Sequence, residues 1–399
     1  MLDKMLVLGG GLLVYILVSN YLGPDELGKL AFGVALSALP VTLSQWGSNF
    51  TIFNVAIENK NRALAFIQTT ELLRCAIYIF SSIVLMLVLC FTKYKSDVYF
   101  LGCVIFAHIF LGLDVYQFYF NARLQSKINA KSNLMSKILE MLTRVTFVIF
   151  SVSPTFFFIP YFIYNLSCYY NRKRKAEVVN IQRGRSSRKY ALCFFQSGKY
   201  FFASSLLTLA YTKANDIILI MTTSYANLAV YNVAMTLSFA WTFIPLSIGT
   251  SYLSKAIESK EDSDFIKLHR YMLIASAPFL IVIYLLSGFI VDLLFHANYS
   301  SAKEILFILS VSSFLSTLNV VNNRIIGAFG GGSYLTKKII FCSISCLLIS
   351  FSLIEKFGLM GAAYACLITE LFNLTIGNYF FKPKFIFSYH FKSIFGVLR

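Results

Sequence analysis

The sequence predicts an all-α polytopic membrane protein with about twelve transmembrane helices in two six-helix lobes. Three observations carry this. Of the 399 residues, 57% are hydrophobic and only 13% are charged; the mean hydropathy is +0.69. A soluble domain carries about 25% charged residues, so this composition points to a bilayer solvent. Apolar stretches long enough to span a bilayer, about 20 residues each, follow one another along the chain. Lys and Arg fall almost entirely in every second gap between them.

Taken in order, the expected spans are 5–22, 27–56, 64–91, 98–122, 133–151, 155–171, 200–222, 227–255, 268–294, 302–328, 334–354 and 357–381. The first run, Met5–Val18, lacks an A-x-A cleavage site and leads directly into Gly23-Pro24-Asp25-Glu26. It therefore reads as a retained helix, not a removed signal peptide. Turn chemistry sets the breaks: Gly23-Pro24, Ser153-Pro154, Tyr225-Ala226-Asn227, Ala297-Asn298-Tyr299 and Phe357-Gly358. The second, eighth and tenth spans exceed what a bilayer needs, which implies tilt or extension into water. The 40 Phe and 24 Tyr suit lipid-facing and interfacial positions. The 8 Cys form no CxxC or Cys/His cluster and read as small hydrophobes, with no metal or disulfide. Gly327 and Gly330–Gly332 lack the GK[ST] ending of a phosphate loop and read as a turn.

With the N-terminus inside, the cytoplasmic side holds 27 of the 35 basic residues, among them Lys60, Arg62, Arg123, Lys127, Lys131, Lys137, nine from Arg172 to Lys199, Lys337 and Lys338. The outside holds five: Lys29, Lys93, Lys95, Lys303 and Lys356. This bias fits twelve spans with both termini cytoplasmic. The net charge of +17 then needs no nucleic acid, and attraction to anionic membrane lipid can add to it.

The basic stretch Arg172–Lys189 lies at the chain midpoint and reads as a cytoplasmic linker, with a binding arm as the sharper alternative. The expected division is an N-lobe at 1–171, a linker at 172–199, a C-lobe at 200–381 and a basic cytoplasmic tail at 382–399. Residues 26–37 and 227–238 match at Leu27/Leu228, small Gly28/Ala229, Leu36/Leu237 and Ser37/Ser238, an offset of 201. Six helices per half return the chain to the same side. The repeat is then parallel, with its pseudo-two-fold axis along the membrane normal and substrate at the interface of the halves.

Four stretches carry a family resemblance. Tyr21-Leu22-Gly23-Pro24-Asp25-Glu26-Leu27-Gly28 precedes a long helix rich in small residues, with Ser37, Gly47 and Asn49. Lys213-Ala214-Asn215-Asp216-Ile217-Ile218-Leu219 precedes Ala229-Val230-Tyr231-Asn232-Val233-Ala234. The other two are Leu294–Ala302 and Phe357–Ala365, the latter ahead of Glu370. In this order and spacing the chain resembles polysaccharide-biosynthesis flippases of the multidrug/oligosaccharidyl-lipid/polysaccharide (MOP) exporter superfamily, and within it the Wzx-type O-antigen flippases. It departs from them in a shorter N-terminus and in Asn215, where a basic residue usually precedes Asp216. The resemblance implies two lobes in a V, alternating access, and coupling to an H+ or Na+ gradient with no bound cofactor. It implies an oligosaccharide on undecaprenyl pyrophosphate as substrate, carried across the bacterial inner membrane. An O-antigen polymerase and a chain-length regulator would be its partners.

Charges inside spans are costly, about 2.5–3.5 kcal/mol each on insertion scales, and tend to face a cavity or a partner. Three pairs share a helix face: Glu71 and Arg74, Glu140 and Arg144, and Lys213 and Asp216. Each pair either neutralises itself or lines a hydrated cavity. In the second case Arg74, Arg144 and Lys213 attract pyrophosphate, while Glu71, Asp114, Glu140, Asp216 and Glu370 are the acids of the cavity and of ion coupling. Asp114, His108 and Glu370 have no partner at helical spacing; His108 reads as a packed neutral imidazole or a relay. Gln45, Asn49, Asn54, Ser238 and Thr242 are either sugar contacts or helix-packing groups, and Trp241 is a stacking candidate for a pyranose.

A multidrug/cation antiporter of the same superfamily would favour acidic pockets, whereas here cations accompany the acids. A membrane-embedded O-antigen polymerase would need a sizeable outside catalytic loop. The outside gaps at Thr92–Asp97 and Phe295–Ser301 are only a few residues long. No nucleophile or acid/base pair sits in water, so the sequence reads as a non-enzyme.

Overall fold

Left-handed glycines set where the longest helices bend. The computed structural model describes residues 2–176, 185–259, 261–381 and 383–395. Helix α1, Leu2–Gln45, turns at Gly23 (φ 72°, ψ 171°), and Pro24 follows where a new first turn tolerates its missing N–H. Two predicted spans therefore run as one bent helix. The same happens in α15, Gly332–Leu374, at Gly358 (φ 54°, ψ −124°).

The predicted second span stops short of 56. Trp46 (φ 42°) and Gly47 (φ 71°) are left-handed, and α2, Ser48–Glu58, starts anew. A Cβ on Gly47 would lie 2.7 Å from Phe201 Cβ and 2.8 Å from the Gly198 carbonyl oxygen. Only glycine allows α10, Arg185–Thr222, to pass so close. Trp46 stacks on Phe202 there, centroids 4.0 Å apart. Between these helices come α3, Lys60–Thr69, capped by Asn59 Oδ1 accepting from the Arg62 N–H (2.9 Å), and α4, Glu71–Cys90. The predicted fourth span is three pieces, α5 (Val98–Ala107), α6 (Ile109–Leu113) and α7 (Tyr116–Ala122), with breaks at His108 and Asp114. Helices α8, Ser126–Ile149, and α9, Ile159–Lys175, follow.

After α10 come α11, Tyr225–Ala240, and α12, Phe243–Ser259, one predicted span bent by 44° at Trp241-Thr242. Then follow α13 (Asp262–Leu294), α14 (Ala302–Ala328), α15, α16 (Ile376–Tyr379) and α17 (Pro383–Phe395). Among the described residues the regular structure is all helical, with three short 3₁₀ turns. Among the described residues six helices are long and apolar enough to cross a membrane, seven if the bent α11–α12 pair counts as one span. The number falls below twelve for two physical reasons. α1 and α15 each merge two expected spans across a glycine kink, and α8, α9 and α10 are charged along part of their length.

The chain forms two compact units, Met1–Leu209 and Ala210–Arg399. Residues 177–184 and 396–399, which fall in the expected linker and tail, lie outside the described residues. The flanks of that linker are helical: α9 continues through Lys175 and α10 begins at Arg185. Beside an apolar core, burial differs from that of a soluble protein on both faces. Leu72, Phe80, Phe91, Leu285 and Phe289 are exposed, whereas Ser310, Ser312, Ser313, Asn319 and Asn322 of α14 are buried. Lipid solvates the outer apolar side chains, and helices meet through small and hydrogen-bonding groups. Ser313 Oγ, for example, donates to the Ser238 carbonyl at 2.7 Å.

The kink at Gly358 also folds α15 against itself. A Cβ on Gly361 would sit 2.0 Å from the Leu353 carbonyl oxygen. Gly361→Val is therefore expected to cost about 3 kcal/mol, the upper range for forced overpacking. The check is a lowered thermal midpoint in detergent; an unchanged midpoint would refute the contact.

Candidate functional site

Each unit carries its own interior polar cluster. In the first unit, Arg74 on α4 is wholly buried. Its guanidinium donates to Thr70 Oγ1 (2.6 Å) and to the Ile67 carbonyl (3.1 Å). The expected Glu71–Arg74 pair is not made. Glu71 instead accepts from Lys173 Nζ (2.6 Å) and from the Tyr169 hydroxyl, both on α9. Helical spacing permitted the local pair, but α9 offers Glu71 two donors, and Arg74 turns inward.

Asp114 is not alone either. The break between α6 and α7 turns its carboxylate toward α9, where Arg172 pairs with it. Arg172 also donates to Asn133 Oδ1. Arg172 was expected among the linker cations; it is in fact buried. Its signal was present in the sequence. Asn165, Cys168, Tyr169 and Arg172 are buried at i, i+3, i+4 and i+7, so the inward stripe of α9 runs one turn further than the apolar residues do. Glu140 and Arg144 pair as their spacing implies (2.6 Å), and Lys137 adds a second contact to Glu140 (2.7 Å). The Arg144 guanidinium lies 4.7 Å from the Tyr161 ring centroid. His108 is buried, its Nδ1 2.8 Å from the Val104 carbonyl, in keeping with a packed imidazole.

In the second unit a cavity of about 270 Å³ opens between α10, α11, α14 and α15. Lys213, Asp216 and Glu370 line it together. Lys213 Nζ pairs with Asp216 Oδ2 at 3.0 Å. Glu370 accepts from the Tyr211 hydroxyl (2.7 Å) and from Asn319 Nδ2 (2.9 Å). Asn215, where the basic residue of the resemblance is missing, accepts from Ser350 Oγ (2.6 Å) and donates to Tyr231 Oη (3.1 Å). Its amide ties α10 to α15 and α11, a role a lysine or arginine could not fill in both directions.

Below the cavity lies a second residue that sequence reasoning missed. Lys338, counted with the loop cations, is buried. Its Nζ donates to Asn378 Oδ1 (2.7 Å) and Asn323 Oδ1 (2.8 Å). Asn378 Nδ2 donates in turn to Asn319 Oδ1 (3.2 Å), which completes a chain Lys338–Asn378–Asn319–Glu370. Here too a stripe marked it: Lys338, Cys342, Cys346 and Ser350 are buried at four-residue steps along α15. The tail does not hang free of the unit. Tyr389 donates to Asn322 Oδ1 (3.0 Å), and Asn322 Nδ2 lies 3.0 Å from His390 Nε2. Burial, with His269 adding to it, pushes the His390 imidazole down to about 3, so His390 stays neutral across the physiological range.

The expected sugar contacts fall in both units, Gln45 and Asn49 in the first and Trp241 in the second. Gln45 Nε2 donates to the Leu111 carbonyl (3.0 Å) and Asn49 Oδ1 accepts from the Phe50 N–H (3.1 Å). The first bond ties α1 to α6, and the second is a local bond in the first turn of α2. Trp241 is buried, with its ring stacked on Phe279, centroids 5.6 Å apart. Its Nε1 has no partner among the described residues. That geometry is aromatic core, not an open stacking platform. Among the described residues no group of three His, Cys, Asp or Glu side chains gathers as metal ligands.

The architecture, all-helical with apolar exteriors and charged interiors, is that of a polytopic membrane protein. No protein-family model matches the chain, and no curated protein matches it. Solved structures do match over nearly its whole length. It is similar to the lipid II flippase MurJ in an inward closed conformation (TM-score 0.70, 15% identity, covering 98% of this chain and 90% of that one). It is similar to an inward-facing multidrug resistance MATE family transporter of the MOP superfamily (TM-score 0.60, 13% identity, 97% and 95%). A third is a MOP superfamily transporter from Pyrococcus furiosus described by the reverse polarity of its binding pocket (TM-score 0.60, 13% identity, 98% and 95%). The chain shares the fold of these structures.

Proposed function

We propose that this protein is a flippase that carries an undecaprenyl-pyrophosphate-linked O-antigen oligosaccharide. It moves that substrate from the cytoplasmic to the periplasmic leaflet of the bacterial inner membrane. It works by alternating access, with both termini cytoplasmic, coupled to H+ or Na+ and in company with an O-antigen polymerase and a chain-length regulator. The supporting observation is which interior charges remain after pairing. Asp114, Glu140 and Asp216 are each held by a cation. Arg74 and Lys338 are buried cations with no carboxylate at ion-pair distance among the described residues. An interior with cations to spare suits a pyrophosphate, because unpaired buried charge is relieved by an opposite one. In this reading Arg74, Arg144 and Lys213 offer charge to the diphosphate, the last two by exchanging their carboxylate partners for it, and Glu370 or the released Asp216 takes the coupling cation.

A second reading, a multidrug or cation antiporter, rests on Glu370. Among the described residues it is the interior acid without a cation at ion-pair distance, and it lines the cavity. One experiment separates the readings. In a strain lacking its own O-antigen flippase, the wild type should restore surface polysaccharide, while Arg144→Ala and Lys213→Ala should lower it at least about tenfold at equal membrane abundance. Unchanged display in both variants would sink the diphosphate reading. Drug resistance conferred by the wild type without display would favour the antiporter.

A further inference from the structure

The polar interior leaves one strongly basic feature unused. At the charged ends of α8 and α9 lies a cleft of about 640 Å³ lined by Lys127, Lys131, Arg174 and Lys175, together with Ser132 and Asn171. All four cations are exposed. Among the described residues none of them has a carboxylate at ion-pair distance, whereas the neighbouring Lys137 and Lys173 are taken by Glu140 and Glu71. Four like charges held by two packed helices repel one another. The arrangement is favourable only when an anion or solvent screens them.

The same face of α8 says what kind of anion fits. Lys127, Lys131, Met135, Ile138, Leu142 and Ile149 follow one another at steps of three, four or seven residues, and every one is exposed. The stripe is cationic for its first two turns and apolar afterwards. A free phosphate would use only the first part. A lipid uses both, with its phosphate in the cleft and its acyl chain along Met135, Ile138 and Leu142. The helix-embedded Arg144 and Glu140 face inward and take no part.

The geometry points to an anionic phospholipid site in the α8–α9 cleft, occupied by a bilayer lipid of the phosphatidylglycerol kind and separate from the interior polar clusters. The headgroup phosphate accepts from Lys127, Lys131, Arg174 and Lys175, and the Ser132 hydroxyl or Asn171 amide is placed to bind glycerol oxygens. Basic clefts between helices near the membrane surface favour such headgroups.

The test uses the full chain in nanodiscs of phosphatidylcholine with phosphatidylglycerol, and native mass spectrometry to read co-released lipid. Wild type should retain phosphatidylglycerol over phosphatidylcholine. The variant K127Q/K131Q/R174Q/K175Q should lose at least about tenfold of that preference. A control, K255Q/K267Q/R324Q/K337Q, removes the same charge from exposed positions elsewhere and should keep it. Equal retention by wild type and cleft variant would overturn the site, as would equal loss in the control. Displacement of phosphatidylglycerol from the wild-type cleft by undecaprenyl pyrophosphate at equimolar ratio would assign the cleft to the transported lipid and overturn the bilayer-lipid assignment. If the cleft variant fails to insert, the pairwise variants K127Q/K131Q and R174Q/K175Q take its place. Retention undiminished in both would overturn the site.

Discussion

Asp114→Ala is expected to cost about 3–5 kcal/mol of folding stability, the cost of leaving a buried charge uncompensated. Asp114 and Arg172 are each nearly inaccessible, and the pair holds the broken α6–α7 segment against α9. Removing the carboxylate strands Arg172 and weakens the field that also acts on the fully buried Arg74. The site has no spare partners. Arg172 Nε, Arg74 Nε and Asp114 Oδ1 already lack hydrogen-bond partners among the described residues. The expected outcome is a marked fall in folded protein recovered from membranes and a lower thermal midpoint. Asp114→Ala with Arg172→Leu should recover much of the loss, because the second change removes the stranded cation. If the double variant were no better than the single, the loss would belong to packing at the helix break and not to charge.

The second large effect concerns the chain from Lys338 to Glu370. Each link has a direction: Lys338 donates to Asn378, Asn378 to Asn319, and Asn319 to Glu370. The ammonium can only donate and the carboxylate only accept, so the two ends fix the orientation of both amides between them. Chains of this kind polarise one another in a medium of low dielectric constant. Glu370→Ala is expected to abolish the transport proposed above, since it leaves the Tyr211 hydroxyl without its acceptor and Asn319 with only the residue-370 backbone carbonyl at the cavity. The coupling itself is tested by Lys338→Met alone, Glu370→Ala alone and both together. Their effects on stability should fail to add by about 0.5–3 kcal/mol, the range for members of one network. Strict additivity would mean that the amides do not connect the two ends.

How much of this was legible before folding differs by feature. The spans were readable because apolar length and turn residues are local properties. The kinks at Gly23 and Gly358 fall where Gly23-Pro24 and Phe357-Gly358 placed breaks. The break at Trp46-Gly47 was not readable. Its cause is α10 passing within 3 Å of where a Cβ would be, and that is a contact between distant segments. Two of the three same-helix charge pairs formed, Glu140–Arg144 and Lys213–Asp216. Glu71–Arg74 failed because Lys173 and Tyr169, about a hundred residues away in sequence, reach Glu71 first.

The sequence by itself determined the solvent, the helical class and the approximate spans, because hydropathy and loop charge act on each segment independently of the rest. It also marked some of the charges that lie buried, among them Arg74, Glu140, Arg144 and Asp216. Only the tertiary structure decided which charges those finally were. Arg172 and Lys338 belong by sequence to basic runs at helix ends, yet Arg172 turns inward to satisfy Asp114, and Lys338 to satisfy Asn323 and Asn378, the second of them linked through Asn319 to Glu370. The physical reason is that a buried acid or amide needs a specific donor within about 3 Å. Which donor arrives there depends on how separate helices pack.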